Sequence, residues 1–481
     1  MTERVFIAIG SNVGDMVANI NAALTELSSA GVKILSTGFL YESDPMYVED
    51  QPLFLNTCVD AFTTLSPWDL LSSLKSIESK LGRMKTERNG PRNIDLDIIM
   101  YGSSIIESDQ LVIPHPRMSE RPFVLLPLAD IDPTVIHPGL GLSVKQLVQA
   151  CSLCLESCRR VIPSGLPNSV IPLFTQSTIV GILNVTPDSF SDGGRFNNID
   201  AAVERAKELV CKGASIIDIG GESTRPNAER VGEAEEIDRV SQVVKSVHTN
   251  MPSVPISIDT YKATTARAAL AAGAAIVNDV SGGLLDENML PLIAELGVPF
   301  ILTHAGQIGR HAVLDYGDGA PSCLTSDMSE EAIVETVGRQ LAMRVNACIK
   351  AGVPRWSIIL DPGLGFGKTG AVNFTILKRL TDIFSGPLAG FPVMIGASRK
   401  RFVRDFESDG SNWSDTEYEA MVGTAAVTAA AIALSGKVQF HRLHDVAEMK
   451  RVANICDKIF RYTIHSKLIQ YEELQLVRHF D

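Results

Sequence analysis

The sequence predicts an α/β chain of two domains, a small N-terminal α+β domain followed by a (β/α)8 barrel of the TIM type. Three observations lead there. The chain has 481 residues, more than one hydrophobic core usually serves. Pro163 to Ser177 holds three prolines, a glycine and several small polar residues, which marks 163–177 as a linker between domains at 1–162 and 178–481. Beyond Thr178, short apolar runs recur, from Ile179–Leu183 through Val298–Leu302 to Val438–Phe440. Each is followed by a polar cluster and then a helical stretch, the pattern of a strand–helix barrel.

Composition narrows the function classes. At 45% hydrophobic and 21% charged the chain is ordinarily globular, and no run of about eighteen apolar residues predicts a membrane span. A net charge of −13 argues against a general nucleic-acid binder, although local arginine clusters still leave phosphate ligands open. Eight cysteines without framework spacing suit a reducing compartment. Met-Thr-Glu-Arg-Val-Phe-Ile runs straight into a strand without a signal or transit peptide. The expectation is therefore a cytoplasmic protein, or a mitochondrial one if a targeting segment is missing from the chain. Leu147, Cys151, Cys154 and Cys158 fall on one helical stripe, and with no fourth ligand nearby they are read as a buried helix face rather than a metal site.

In the first domain, Val5 to Ile9 reads as a strand, and Gly10-Ser11-Asn12-Val13-Gly14-Asp15 as a plain connection to a helix from Met16 to Ser29. Val32 to Tyr41 reads as a second strand. Phe54 and Asn56 alternate along a third, where they suit either a stacked, hydrogen-bonded heterocycle or a core ring with a satisfied amide. Pro67 to Leu81 is an amphipathic helix with Trp68, Leu71, Leu74, Ile77 and Leu81 toward the core; Glu78 suits either surface or ligand.

The most charged stretch is Arg88-Asn-Gly-Pro-Arg92-Asn-Ile-Asp95-Leu-Asp97. Asp95 and Asp97 share one strand face and Leu96 and Ile98 the other. Alone, an Asp-x-Asp fits an exposed face. Beside Arg88 and Arg92 it suits Mg²⁺ held against a polyphosphate, with hard oxygens for the metal and forked cations for phosphate. His115 follows in Pro114-His115-Pro116, with Arg117, Arg121 and Phe123 after it.

Over about residues 3–160 the chain resembles 6-hydroxymethyl-7,8-dihydropterin pyrophosphokinase. The matching pieces are Ala8-Ile9-Gly10-Ser11-Asn12, Asp50-Gln51-Pro52, Phe54-Leu55-Asn56, Gly90-Pro91-Arg92-x-x-Asp95-Leu96-Asp97, Pro114-His115 and Arg121-x-Phe123. The resemblance implies a ferredoxin-like α+β fold with helices on a mixed, mainly antiparallel sheet. It also implies two Mg²⁺ on Asp95 and Asp97, and ATP on Arg83, Arg88, Arg92, His115 and Arg121. The pterin would lie among Phe54, Asn56 and Phe123. Asn89 stands where an aromatic is common in that family, and the loop Arg83 to Arg88 is one residue shorter than in some relatives.

In the second domain, polar residues gather at the expected C-terminal strand ends, where barrel chemistry sits: Asn184, Glu222 to Arg225, Asp259, Asn278-Asp279, His304, Asp361, Ser398 to Lys400, Arg442 and His444. Any one suits a helix cap or loop; their repetition at nearly every strand end does not. Asp259, Asn278 and Asp361 offer acceptors to a heterocycle, Lys400 a donor, and Arg442 with His444 a phosphate site on the last strand. Two loops, Thr186 to Phe196 and Gly220 to Glu229, are read as mobile lids. Gln307 to Met328 and Arg404 to Glu419 are unpatterned insertions, read as disordered or serving assembly.

Residues 178 to about 462 resemble dihydropteroate synthase. The resemblance rests on Ile182-Leu-Asn184-Val-Thr-Pro-Asp-Ser-Phe-Ser-Asp-Gly-Gly194, Asp218-x-Gly220-Gly-Glu-Ser-Thr-Arg-Pro226, Asp259-Thr260, Asn278-Asp279, Asp361-Pro-Gly363, Ser398-Arg-Lys400 and Arg442-x-His444-Asp445. It implies pterin binding by Asp259, Asn278, Asp361 and Lys400. It implies p-aminobenzoate binding by Thr224, Arg225, Pro226 and Ser398, where sulfonamides compete. Pyrophosphate would lie on Asn184, Arg442 and His444, with one Mg²⁺ on Asn184. Thr303 stands where many bacterial relatives carry Met.

The two resemblances together imply a bifunctional folate-biosynthesis enzyme, with Arg83, Arg92, Asp95, Asp97, Asp259, Asp361 and Lys400 as its catalytic set. Small-molecule substrates, with ATP as co-substrate, are expected as partners, and a homodimer through the barrel. A pterin-dependent methyltransferase shares the barrel and its acidic grip, but Ser398-Arg399-Lys400, Arg442-x-His444 and the fused kinase-like domain weigh against it. A non-catalytic scaffold would not need both Asp95/Asp97 and a complete polar rim.

Overall fold

A computed structural model describes residues 2–83, 90–151, 157–185, 195–222, 230–309, 312–404 and 417–461. The chain divides into two compact units, Met1–Leu173 with Pro354–Trp356, and Phe174–Val353 with Ser357–Asp481.

The first unit contains strands β1 (Glu3–Ser11), β2 (Val32–Thr37), β3 (Leu40–Ser43), β4 (Phe54–Thr63), β5 (Asp95–Tyr101), β6 (Ile106–Glu107), β7 (Val112–Ile113), β8 (Cys158–Pro163) and β9 (Val170–Pro172). Its helices are α1 (Met16–Ser29), α2 (Pro67–Lys80), α3 (Pro122–Ile131) and α4 (Val144–Ala150). The main sheet runs β5-β1-β4-β3-β8-β9, with β2 also on β4. Its described pairings are antiparallel throughout, rather than mixed. The reason is topological. The helical crossovers α1 and α2 each skip a strand, so no strand lies beside its parallel mate. Leu96 and Ile98 of β5 join Val5, Ile7 and Ile9 of β1 in the core, so Asp95 and Asp97 take the opposite face.

Three local expectations change. The predicted strand Val32–Tyr41 breaks at Gly38, because the backbone there passes against α3; a Cβ on Gly38 would lie 2.4 Å from the Pro127 carbonyl oxygen. On α2, capped by Ser66 with Pro67 in its first turn, the inward face is Leu70, Leu74, Ile77 and Glu78. Trp68 is 43% exposed, one helical step outside that stripe. The cysteine stripe is not one helix. The chain leaves α4 at Cys151, which is disulfide-bonded, and Cys158 opens β8. The stretch expected as a linker carries structure on both sides. β8 and β9 pair antiparallel at the edge of the sheet, while Ser177 donates to Asp457 in the second unit.

The second unit is a closed barrel of eight parallel strands: β10 (Thr178–Asn184), β11 (Ile216–Gly220), β12 (Ile256–Asp259), β13 (Ile276–Asp279), β14 (Phe300–Thr303), β17 (Ile358–Asp361), β18 (Val393–Ile395) and β19 (Val438–Leu443). Between β14 and β17 a hairpin, β15 (Gln307–Ile308) and β16 (Ala312–Val313), is inserted. Around the barrel lie α5 (Arg195–Cys211), α6 (Glu233–Asn250), α7 (Ala263–Ala271), α8 (Met289–Leu296), α9 (Glu330–Lys350), α10 (Gly370–Lys378), α11 (Leu380–Ile383), α12 (Glu417–Ser435) and α13 (Val446–Phe460). Strand side chains are buried almost throughout, as strands covered by helices must be.

The insertion Gln307–Met328 is packed, not patternless. Ile308, Ala312, Leu314 and Tyr316 form a small core with Val280 and Ala305, so its apolar residues are spaced for a hairpin and turn rather than for a helix or long strand. Residues 405–416 of the other insertion lie outside the described residues. Helix α12 is by length and composition apolar enough to cross a membrane, with a mean hydropathy of 1.3. It packs on α13 and β19, the position of a barrel helix.

Gly38→Ala is expected to destabilise the first unit by about 1–3 kcal/mol, because the Pro127 backbone cannot yield to a methyl group as a side chain would. Urea unfolding of the full chain, followed by a probe in the first unit, measures it.

Candidate active sites

In the first unit one pocket is lined by Phe54, Asn56, Arg83, Arg92, Asp95, Asp97, His115, Arg121 and Phe123 together. Arg88, Lys85 and Asn89 lie outside the described residues. Ala8, Ile9 and Gly10 of β1 line the pocket, and the short turn after β1 braces it. Asn12 accepts from the Arg92 backbone N–H at 2.8 Å and donates to Gln51 and to the Pro52 carbonyl, so it ties two loops together. Reading Gly10 to Asp15 as a plain connection missed this. Gly10 is required because a Cβ would lie 2.8 Å from the Asn56 Oδ1 atom; Asn56 itself donates to Ser43 at 2.9 Å. Asn56 is thus buried and satisfied on one side while lining the pocket on the other.

Asp95 accepts from Arg83 at 2.6 Å and Arg92 at 2.7 Å. Burial opposes its charge, but Arg92, Arg83 and Lys75 outweigh burial and hold the carboxyl below its usual range. Asp97 is held more loosely, 3.7 Å from Arg121 and 3.9 Å from His115. Burial keeps His115 below its usual value despite Asp97, and its Nδ1 accepts from the Arg117 N–H. The pocket wall carries five Lys/Arg side chains (Lys75, Arg83, Arg92, Arg117, Arg121) against three carboxylates (Asp44, Asp95, Asp97), a local positive excess in a chain of net charge −13. Arg121 is 8% exposed and its Nε has no partner among the described residues.

These features fit a polyphosphate with its metal. Mg²⁺ in such sites takes one or two carboxylates and completes its shell with phosphate oxygens and water, so the described residues need no cluster of three ligands, and hold none. Glu78, undecided from sequence, is 3% exposed. It accepts from the Leu96 N–H at 2.8 Å and pairs with Lys75 and Arg83, and so fixes both β5 and the arginine beside Asp95. Tyr47 was also missed; the Arg117 guanidinium lies 4.8 Å from its ring centroid.

In the barrel, Asn184, Asp259, Asn278, Asp361 and Arg442 lie at the C-terminal ends of their strands, and Ser398, Lys400 and His444 in the loops that follow. Thr224, Arg225 and Pro226, and most of both expected lids, lie outside the described residues. The centre is Arg442, whose Nε donates to Asp218 and Nη2 to Asp259, both at 2.6 Å. Asn278 donates to the same Asp218 at 3.2 Å. Asp218, fully buried in β11, was not singled out from sequence. The available signal was an acid inside an otherwise apolar strand. Gly396 lies beside Asp361 and Arg442, 3.8 and 3.9 Å from where its Cβ would lie. Lys400 donates to the Leu364 carbonyl with its ammonium 4.1 Å from the Phe366 ring centroid. The Ser398 hydroxyl and His444 Nδ1 are 3.0 Å apart.

Burial sets the proton affinities here. It pushes Asp259 up to about 7 against the pull of Arg442, pushes Asp361 up, and pushes Lys400 down to about 8. Burial lowers Arg442 but its carboxylate partners outweigh that, and it stays charged. Two rim residues do not face the site. Asp279 caps its own turn through Ser281 and Gly283. His304 pairs with Gln340, stacks on Tyr316, and is pushed down to about 3 by burial, so it is neutral.

Two family models match the chain: the pyrophosphokinase "HPPK" over residues 6–133 and "pterin binding enzyme" over residues 180–444. A folate synthesis bifunctional protein of Arabidopsis thaliana is 37% identical over 480 residues, covering 95% of this chain and 96% of its own. The chain belongs to the bifunctional folate-synthesis family. Within that family, the folic acid synthesis protein of Pneumocystis carinii is 39% identical over 95% of this chain but 60% of its own length, and that of Schizosaccharomyces pombe is 40% identical over 59% of its length. The chain thus spans about three fifths of these fungal relatives. The crystal structure of wild-type Plasmodium falciparum HPPK-DHPS with pteroate shares the fold, with a TM-score of 0.73 at 21% identity, covering 95% of this chain and 98% of that one.

Asp259 yields a pH test. Folded, it keeps its proton to about 7; unfolded, it releases it near 3.8. Its contribution to barrel stability is therefore full below about pH 4 and is lost as pH rises through about 7. Asp259→Asn is expected to flatten the pH dependence of the barrel's unfolding free energy between about pH 5 and 7. An unchanged slope in urea titrations at fixed ionic strength would contradict this.

Proposed function

We propose that the chain catalyses two consecutive reactions of folate synthesis. In the first unit, ATP pyrophosphorylates 6-hydroxymethyl-7,8-dihydropterin. In the barrel, the pterin diphosphate condenses with p-aminobenzoate, giving 7,8-dihydropteroate and pyrophosphate. The observation that carries this reading is the pairing of two pockets of matched chemistry: arginines around Asp95 and Asp97 in one, and Arg442 between Asp218 and Asp259 in the other.

In the first pocket, Arg83, Arg88, Arg92, His115 and Arg121 take the triphosphate, and Phe54, Asn56 and Phe123 take the pterin. Asp95 and Asp97 would hold two Mg²⁺, which would neutralise phosphate charge and ease deprotonation of the substrate alcohol. Alignment and charge neutralisation are what attack at the β-phosphorus needs. Arg83 and Arg92 already sit on Asp95, so an entering phosphate exchanges one anion for another around them.

In the barrel, Asp259, Asn278, Asp361 and Lys400 hold the pterin. Thr224, Arg225, Pro226 and Ser398 line the p-aminobenzoate site, and Asn184, Arg442 and His444 take the diphosphate with one Mg²⁺ at Asn184. The carbon–oxygen bond breaks with its electron pair leaving on pyrophosphate. The aniline nitrogen then adds to the pterin methylene and loses a proton. Asp259 and Asp361, whose proton affinity burial raises, are the acidic groups against which the positive charge of the ring develops. Arg442 stays charged for the leaving group. A homodimer through the barrel fits Tyr418 and Val422 on α12 and Ile455 and Ile459 on α13, all exposed apolar residues on two helices that pack together.

Separate variants separate the steps. Asp95→Asn is expected to lower pyrophosphokinase kcat at least a hundredfold while leaving condensation of supplied pterin diphosphate intact. Asp361→Asn is expected to do the reverse with folding retained. Loss of both reactions in either variant, or of neither, would overturn the assignment.

A further inference from the structure

Lys368 follows the glycine-rich turn after β17. It is 8% exposed, and its ammonium donates to three backbone carbonyls, those of His304 at 3.0 Å, Gly363 at 2.9 Å and Phe366 at 3.1 Å. An ammonium carries three donors, and here each has one acceptor. Its hydrogen bonds all go to backbone carbonyls, and the carboxylate whose charge it feels is Asp361. A buried ammonium is expensive, and packing alone would be served by an apolar side chain.

The segment it holds is glycine-rich, and the Gly365 N–H also donates to Asn373 at 2.7 Å. Gly363, Gly365 and Gly367 all have positive φ, at 64°, 82° and 65°. Gly363 crosses so close to β14 that a Cβ would lie 1.8 Å from the His304 oxygen. Yet this turn supplies much of the site: the Gly363 N–H donates to Asp361 Oδ1, the Leu364 carbonyl accepts from Lys400, and the Phe366 ring lies against the Lys400 ammonium. On its outer side the turn accepts from Gly306 and from Leu324 of the insertion that follows it.

We propose, on the synthase reading above, that Lys368 is a positioning residue of the barrel site: it clamps the end of β14 to the turn after β17 and so aims Lys400 and Asp361 at the pterin. It touches no substrate itself and acts through the turn. Burial and the nearby Lys400 push its own proton affinity down to about 7, with Asp361 working against them.

The test uses the full chain with Lys368→Met, which keeps length and removes the donors. The expected result is a KM for pterin diphosphate raised at least tenfold and a smaller fall in kcat. Pyrophosphokinase activity should be unchanged, and hydrogen exchange at the Gly306 and Leu324 amides at least tenfold faster. A KM within twofold of wild type, or unchanged exchange at those amides, overturns the proposal; so does a fall in kcat alone. If the Met variant does not fold, Lys368→Gln is read by the same criteria. A wild-type barrel that makes no dihydropteroate would instead sink the synthase reading, while the exchange measurement would still judge the clamp.

Discussion

The barrel mouth depends on one arrangement, a buried guanidinium gripping two carboxylates. Arg442 reaches across from β19 to Asp218 on β11 and Asp259 on β12. Burial works against the charge of Arg442, and its two carboxylate partners outweigh that cost. The same arrangement recurs in the first unit with the roles reversed, where one carboxylate, Asp95, is gripped by two arginines. In both places the protein holds acidic and basic side chains in contact, where a phosphate or a cationic ring can divide them. Binding then replaces an internal partner and does not strip bare charge from water.

Both arrangements rest on ordinary fold constraints. β5 buries Leu96 and Ile98, and strand alternation then forces Asp95 and Asp97 to the pocket. In the barrel, parallel strands ending on one rim bring residues far apart in sequence within hydrogen-bond reach, as Asp218 and Arg442 are. Glycine at Gly10 lets the backbone come close where a side chain would press on Asn56.

Much of this was legible in the residues. The eight apolar runs gave the barrel strands, and the polar residues after them gave its rim. The Asp-x-Asp with its arginines gave the first pocket. What escaped was whatever depends on a partner distant in sequence. Glu78 looks like any helix glutamate until β5 lies over it. Asp218 looks like one motif residue among several until Arg442 arrives from the last strand. His304 looks like a rim ligand, but Gln340 and Tyr316 turn it away. The insertion after β14 has no helical or alternating period because it folds as a hairpin and turn against the loops. The cysteine stripe failed for the opposite reason: helical spacing continued on paper past the point where α4 ends.

The central claim is that the two pockets perform successive steps on one pterin. The direct measurement supplies the full chain with 6-hydroxymethyl-7,8-dihydropterin, ATP, Mg²⁺ and p-aminobenzoate, with no other enzyme, and follows dihydropteroate. The account predicts its steady formation with release of AMP and pyrophosphate. Accumulation of pterin diphosphate without dihydropteroate, or no consumption of ATP at all, would contradict it.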